Sequence, residues 1–385
     1  MTRFRSISSV FILGSVLSAC QSPDAVLNEP SLIQYSDAIV LEEEPRRSAN
    51  AEIADFDGDG LNDVVLAIGR HWPGPNLLLI GDGQGGFTRV DSLSNPQDRS
   101  YSLSAADMDG DGDLDLVVSN DRPDPTYVLL NNGAGGFDQR IDFGDGDWPT
   151  RNGTVADINN DGRPDVMVAN RGEGEVGHNF VCLNETTEEF SISCERVSSG
   201  STTTISVADM NRDGNPDLII PFRDLGQSNI LLGDGTGKFI EQIAFGPDDA
   251  SYRAAVAVDL NVDGLLDLVS IDDQRRKTVA FFQLTDGGFG AETRIDDGEA
   301  IPYALDVADL DGNGRVDVLV GYRDAPDRLF FNEVLSLRSV SLGDSLGATY
   351  GFGIGDMNHD GVPDIAVARS DASDLLFLGT RVGND

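Results

Sequence analysis

Asp107-Met108-Asp109-Gly110-Asp111-Gly112-Asp113-Leu114-Asp115 runs directly into Leu116-Val117-Val118. This junction of an acidic loop with an apolar, β-branched run decides the fold. The pattern Asp-x-Asp/Asn-x-Asp/Asn-Gly-x-x-Asp begins at Asp55, Asp107, Asp157, Asp209, Asp259, Asp309 and Asp356, at intervals of 47 to 52 residues. A fixed period of that length means an array of similar units rather than unrelated domains.

Working outward from Asp107, Leu103-Ser104-Ala105-Ala106 leads into the loop and Leu116-Val117-Val118 leaves it. A polar turn at Asn120–Pro125 precedes Tyr127-Val128-Leu129-Leu130. A Gly-rich turn at Asn131–Gly136 precedes Phe137–Phe143. Short apolar runs separated by Gly, Asn, Asp and Pro predict an antiparallel meander of four strands. Seven such units predict an all-β fold: a seven-bladed β-propeller with a calcium loop in each blade. No segment sustains the 3.6-residue apolar period that a helical solenoid needs.

The last copy ends after Leu375-Leu376-Phe377-Leu378 without a clear fourth strand, while the unassigned segment 32–41 precedes the first copy. That segment is expected to pair as the outer strand of the last blade and close the ring. The domain organisation read this way is a leader over 1–19, a tether over 20–31 and a propeller over 32–385.

Aspartates at loop positions 1, 3 and 5 put oxygen ligands on one side of a tight turn, and Asp at position 9 closes the cage. Position 6 must turn sharply, and every copy has glycine there. The ligand sets are Asp55, Asp57, Asp59 and Asp63; Asp107, Asp109, Asp111 and Asp115; Asp157, Asn159, Asp161 and Asp165; Asp209, Asn211, Asp213 and Asp217; Asp259, Asn261, Asp263 and Asp267; Asp309, Asp311, Asn313 and Asp317; and Asp356, Asn358, Asp360 and Asp364. Oxygen-only donors favour Ca²⁺, up to seven ions. The five copies with an asparagine are expected to bind more weakly than the first two, because an amide oxygen brings no charge. An Asx turn that needs no ion is the alternative. Position 12 is aliphatic where an EF-hand needs glutamate, as at Leu66 and Val118, so these are not EF-hands.

The stretch Ala106–Asn120, with the turns Leu130–Phe137 and Leu232–Phe239, resembles the FG-GAP/VCBS repeat. The resemblance covers nearly all of the chain after the leader. It implies a calcium-loop propeller of the integrin α-subunit type. That family includes adhesins, bacterial surface proteins and some polysaccharide lyases.

The formal charge of −39 argues against nucleic-acid binding, which needs a basic face. Seven bound divalent cations would still leave about −25. Near the N-terminus, Arg3 and Arg5 precede an apolar stretch centred on Val10–Leu13, and Leu17-Ser18-Ala19-Cys20 resembles the lipobox of bacterial lipoproteins. The resemblance implies cleavage before Cys20, lipidation of Cys20 and a lipid-anchored protein of the bacterial cell envelope, at the outer membrane; the alternative is an ordinary secretory signal in which Cys20 is incidental. Cys182 and Cys194 flank a hairpin turn near Glu185–Glu189; they form either a disulfide or two buried thiols.

Strand alternation places the Asp loops and the Gly-rich turns on one face and the two–three connections on the other. Each of those connections carries an arginine: Arg70, Arg122, Arg171, Arg223, Arg275, Arg323 and Arg369. The segments entering the first strands add Arg47, Arg99, Tyr101, Trp148, Arg151, Tyr252, Arg253, Tyr303 and Tyr350. Guanidinium and aromatic groups together suit an anionic glycan or a carboxylated ligand. The alternative is that each arginine pairs with a nearby acid such as Asp124, Glu173, Asp224, Asp324 or Asp371. The function expected is a binding or adhesion module for a glycan or a protein. The rival reading is a polysaccharide lyase acting on uronates, with His71 or His178 and Tyr101, Tyr252, Tyr303 or Tyr350 as candidate bases.

Overall fold

The computed structural model describes residues 32–93, 96–172, 177–187, 190–224, 226–296, 298–333 and 336–382. The expected leader, Cys20 and the tether 20–31 lie outside the described residues, as does Glu173. Among the described residues every regular element is a β-strand. In the second copy, Ser100–Ala106, Asp115–Asn120, Thr126–Leu130 and Gln139–Phe143 pair antiparallel, each with the next. The third to sixth copies repeat this order. The fold is an all-β propeller.

Seven separate blades are corrected to five self-contained four-stranded blades plus one eight-stranded sheet. That sheet carries the first and last copies. Its join is made by Ser370↔Arg47 and Ala372↔Arg46. The physical reason is strand length. Arg46–Ala54 and Asp364–Ala372 each run nine residues, longer than their counterparts in the other copies, so their ends overlap and hydrogen-bond.

The N-terminal segment pairs with the C-terminal strands. Ile39–Val40 lies against Leu375–Phe377, and Leu32–Tyr35 lies against Gly379–Val382. Leu41 then packs with Ile53, Leu66, Met357 and Ala366, so the chain ends share one core.

The second strands are buried at every residue in most copies, as in Asp63–Ile68, Asp115–Asn120 and Asp317–Tyr322. The apolar core lies between neighbouring blades rather than within one. Val65, Leu78 and Ile80 of the first copy meet Leu103, Leu116 and Tyr127 of the second. A sheet covered on both faces reads as a continuous apolar run, which is why Leu116-Val117-Val118 shows no alternation. The outer strands face water, as in Phe87–Ser92, where no residue is fully buried. The thiols of Cys182 and Cys194, partners across a hairpin, are joined in a disulfide.

Candidate functional site

The Asp loops form one face. A Cβ on Gly58 of the first loop would lie 2.9 Å from the Gly133 carbonyl oxygen of the next copy's Gly-rich turn, so loop and turn touch there. Within a loop the first aspartate accepts backbone N–H groups: Asp107 accepts from Gly110 at 2.8 Å and from Gly112 at 3.1 Å. Gly112 has φ of 101°, which only glycine adopts without strain.

Position 9 does more than close a cage. Asp115 is fully buried and accepts the Met108 N–H at 2.8 Å and the Asn131 N–H at 2.8 Å. The same pair of bonds recurs at Asp63, Asp165, Asp217, Asp267, Asp317 and Asp364. Burial raises the pKa of these seven carboxyls, backbone N–H groups lower it, and neighbouring aspartates raise it further. The outcome is about 6 for Asp115 and about 7 for Asp317 and Asp364.

Position 2 was missed in the sequence reading. Phe56, Met108, Ile158, Met210, Leu260, Leu310 and Met357 are all buried and pin each loop into the core. A second missed device is a staple between copies. Asn131 Nδ2 donates to the Phe56 carbonyl of the preceding copy at 2.8 Å, and Asn184 does the same to Met108 at 2.7 Å. Both follow a sequence signal that was available: an amide at the end of the third strand.

The loops fit a hard cation unequally. Carboxylates at positions 1, 3 and 9 converge in three of them: Asp55/Asp57/Asp63, Asp107/Asp109/Asp115 and Asp309/Asp311/Asp317, with ligand atoms within 4.8 Å of one another. Where position 3 is asparagine, its amide turns to the position-5 carboxylate instead, as from Asn159 to Asp161 at 3.0 Å and from Asn211 to Asp213 at 3.0 Å. The sixth loop, whose asparagine is at position 5, therefore groups with the first two.

On the opposite face the seven arginines do not converge. Arg171 pairs with Asp224 at 3.4 Å, Arg223 with Asp273, Arg275 with Asp272 and Glu292, and Arg369 with Asp344. Arg70 donates to Ser370 Oγ at 2.6 Å and lies over the Tyr350 ring. Arg122 and Arg323 are exposed. Of the acids considered from sequence, Asp124 pairs with Arg99 and Asp371 with Arg47.

The chemistry gathers at the axis instead. Ala49, Tyr101, Arg151, Thr203, Arg253, Tyr303 and Tyr350 each stand six residues before the first aspartate of their loop, and all line one cavity of about 160 Å³. That is room for on the order of ten waters. Six of them occupy a register shift of the inner strand, for example between Ser100 and Ser102, between Thr150 and Asn152, and between Tyr252 and Ala254. A β-bulge re-aims its extra residue, here toward the axis.

Around this cavity cations and aromatic rings alternate. Arg253 lies over Tyr303 at 3.8 Å, Tyr303 meets Tyr350 edge-on at 4.9 Å, and Arg70 covers Tyr350 at 3.9 Å. Across the cavity Arg151 lies over Tyr101 at 4.3 Å. Tyr101 Oη is 2.8 Å from His71 Nε2, and His71 Nδ1 is 2.6 Å from Asp121. Arg151 also holds Asp121, at 2.8 Å.

Arg253 is 6% exposed and makes no ion pair among the described residues. Burial, then the nearby charge of Arg223, pushes its pKa down to about 10. Burial raises the Tyr303 phenol, but Arg253, a hydrogen bond with Tyr350 and Arg223 outweigh it and bring it to about 8. The hydroxyls of Thr203 and Thr204, also in the lining, have no hydrogen-bond partner among the described residues. Deeper along the axis, three residues before their loops, stand the carboxyls of Glu52 and Asp306. Burial pushes both up, Asp306 to about 7, and the Asp306 charge raises Glu52 further.

Among the residues weighed as bases, His71 meets Tyr101, and Tyr303 meets Tyr350. Tyr252 is buried against Glu292 and Arg275, and His178 contacts Arg196, so neither reaches the cavity. Trp148, partly buried, stacks on Phe180 against the core.

An FG-GAP-like repeat profile matches residues 55–118, 107–168, 209–270, 259–320 and 309–367, more than half of the chain. The chain belongs to the FG-GAP repeat family. No curated protein sequence matches this FG-GAP protein. Among solved structures it resembles an Agrocybe aegerita lectin, described for specific recognition of non-reducing terminal N-acetylglucosamine. The identity is 19% over 85% of this chain and 87% of that one, with a TM-score of 0.57. It also resembles BBS1N, solved in complex with ARL6DN and soaked with mercury, at 13% identity over 92% of this chain and 99% of that one, with a TM-score of 0.61. These likenesses show the shared fold.

Proposed function

We propose that this FG-GAP protein is a calcium-stabilised, membrane-anchored binding module whose ligand is an anionic glycan held at the axial cavity. The observation that carries the reading is Arg253, a buried guanidinium without an ion-pair partner, set among Tyr101, Tyr303 and Tyr350. A buried charge left unpaired is costly, and an anion entering the cavity would remove that cost. The aromatic rings offer stacking faces to a sugar, and the Thr203 and Thr204 hydroxyls offer bonds to its polar groups. A lectin on the same fold supports a glycan over other anions by analogy of fold.

In this reading the eight-stranded sheet counts as two blades, the first and last of a seven-membered ring. The Asp loops hold Ca²⁺ as scaffold, on the face away from the ligand. Asp55, Asp57 and Asp63, with their counterparts in the second and sixth copies, are the strongest sites. Cys20 carries the lipid that fixes the module to the bacterial envelope, and metabolic labelling with a fatty acid tests it.

The binding test is calorimetry with uronate and sulfated oligosaccharides on the whole protein and on Arg253→Met. At least tenfold weaker binding in the variant is expected, from loss of one charge-assisted contact of about 1.5–3 kcal/mol. Equal affinity would overturn the assignment of the cavity.

A further inference from the structure

We infer that closure of the ring is a proton-operated latch. Glu42, at the end of the N-terminal segment, and Asp374, in the last blade, share one proton, and its loss loosens residues 32–42 from that blade. Neither residue lines the axial cavity, so the latch is separate from the proposed ligand site.

Backbone pairing brings the two carboxyls together. Ile39–Val40 lies against Leu375–Phe377, the Leu41 N–H donates to the Asp374 carbonyl at 2.9 Å, and the Asp374 N–H donates to Glu42 Oε1 at 3.1 Å. Asp374 is fully buried. Its carboxylate already has two donors, Ser48 Oγ at 2.6 Å and the Arg369 N–H at 2.6 Å, which suit an ionised group. Glu42 is placed differently. Its Oε2 is buried and has no hydrogen-bond partner among the described residues. Ionised, Glu42 would set a second negative charge beside Asp374 with one oxygen left bare, which is costly. Protonated, it can donate to the Asp374 carboxylate, and repulsion becomes a hydrogen bond.

The charges nearby do not replace that proton. Arg46 favours ionised Glu42, but less than burial and Asp374 oppose it. Arg47 is drawn to Asp371 at 3.5 Å, and the Arg369 side chain is held by Asp344 at 2.7 Å and the Ser373 carbonyl at 2.6 Å. Glu43 and Glu44, both exposed, add only negative charge. Burial, then the Asp374 charge, pushes Glu42 from 4.5 up to about 8, against the Asp374 N–H and Arg46. Burial raises Asp374 as well, so the two titrate as a unit. A carboxyl raised on folding holds its extra proton between the unfolded and folded values. The latch is therefore fully set below about pH 4.5, weakens as pH rises and is lost above about 8. With the anchoring at Cys20 proposed above, release adds residues 32–42 to the tether, up to roughly 35 Å of reach.

Hydrogen–deuterium exchange on the whole protein, corrected for the intrinsic rate at each pH, reads the latch through the amides of 32–42. Wild type is expected to lose roughly tenfold or more of its protection there between about pH 6 and pH 9, as one pH unit of the shift survives screening by the water that reaches Glu42. The amides of Asp115–Asn120, in a buried strand of the second copy, should hold their protection. Glu42→Gln keeps a donor for Asp374 and cannot ionise, so its protection over 32–42 should stay level and exceed that of wild type at the higher pH. A wild-type profile that stays level across this range overturns the latch, whatever the variant does. A fall shared equally by Glu42→Gln overturns it too, as does a segment unprotected at every pH.

Discussion

Asp306→Asn should stabilise the protein in a way that grows with pH. Asp306 lines the axial cavity, and its carboxyl is pushed from 3.8 up to about 7, chiefly by burial. The unfolded chain releases this proton near pH 4, whereas the folded protein holds it until near pH 7. The folded state therefore binds the extra proton between those values. Its contribution is fully present below pH 4 and is lost as pH rises through 7. The full shift corresponds to about 4 kcal/mol, at roughly 1.36 kcal/mol for each pH unit. Water reaching the cavity screens part of it, so about 2 kcal/mol is the working figure. Asparagine preserves shape and keeps an oxygen for the Val307 N–H, now bonded at 2.8 Å. It also relieves Glu52, whose pKa Asp306 helps to raise. Thermal unfolding of wild type and variant is compared at pH 4 and pH 8. Titrating groups not coupled to Asp306, the loop aspartates included, cancel in the difference of differences, and relief of Glu52 adds in the same direction. The variant should gain on the order of 2–4 °C at pH 8 relative to its position at pH 4. Parallel behaviour of the two proteins across pH would refute the placement of a raised carboxyl on the axis.

Deleting residues 32–41 removes the pairing of Ile39–Val40 with Leu375–Phe377 and the buried side chains of Ile33 and Leu41. A loss of several kcal/mol is expected at about 2–3 kcal/mol for each buried aliphatic, and an unchanged melting temperature would deny this segment its closing role. Asn131→Ala leaves the Phe56 and Leu114 carbonyls without their amide partner. Denaturant unfolding should report a cost of about 1–3 kcal/mol, while the same substitution at Gln274, exposed in a turn, should cost almost nothing. Chelation should lower the thermal midpoint, and Asp109→Asn should weaken calcium binding far more than Asp161→Asn, since only Asp109 stands in a converged carboxylate cluster. Titration calorimetry giving equal losses would contradict that ranking.

Much of the architecture was legible because its signals are local. A nine-residue loop and a four-strand meander each fit within one 50-residue unit, so spacing and apolar runs predict them without reference to the rest of the chain. The boundary between blades was less legible. Whether the first and last copies hydrogen-bond into one sheet depends on how far two nine-residue strands overlap, and strand overlap is a distance between chain ends.

The arginines show why site chemistry was harder to read. Arg171 and Arg223 find Asp224 and Asp273, each about one repeat further along, because neighbouring copies lie side by side. Arg275 does pair with the nearby Asp272, so partners come both from the same turn and from the next copy. The residues six before each loop carried a signal that was present all along: Ala, Tyr, Arg, Thr, Arg, Tyr and Tyr at one register, where a purely structural position would be uniform.

By itself, then, the sequence determined the acidic loops, the strand pattern, the repeat family and the likeness of one unit to the next. Only the tertiary structure decided that Tyr101, Arg151, Arg253, Tyr303 and Tyr350 share a cavity, that His71 reaches Tyr101, and that Arg253 is buried without a counter-ion among the described residues. The reason is geometric. Closure of the ring brings residues separated by 50 to 250 positions onto one axis, and a bulge in six of the inner strands turns them to face it.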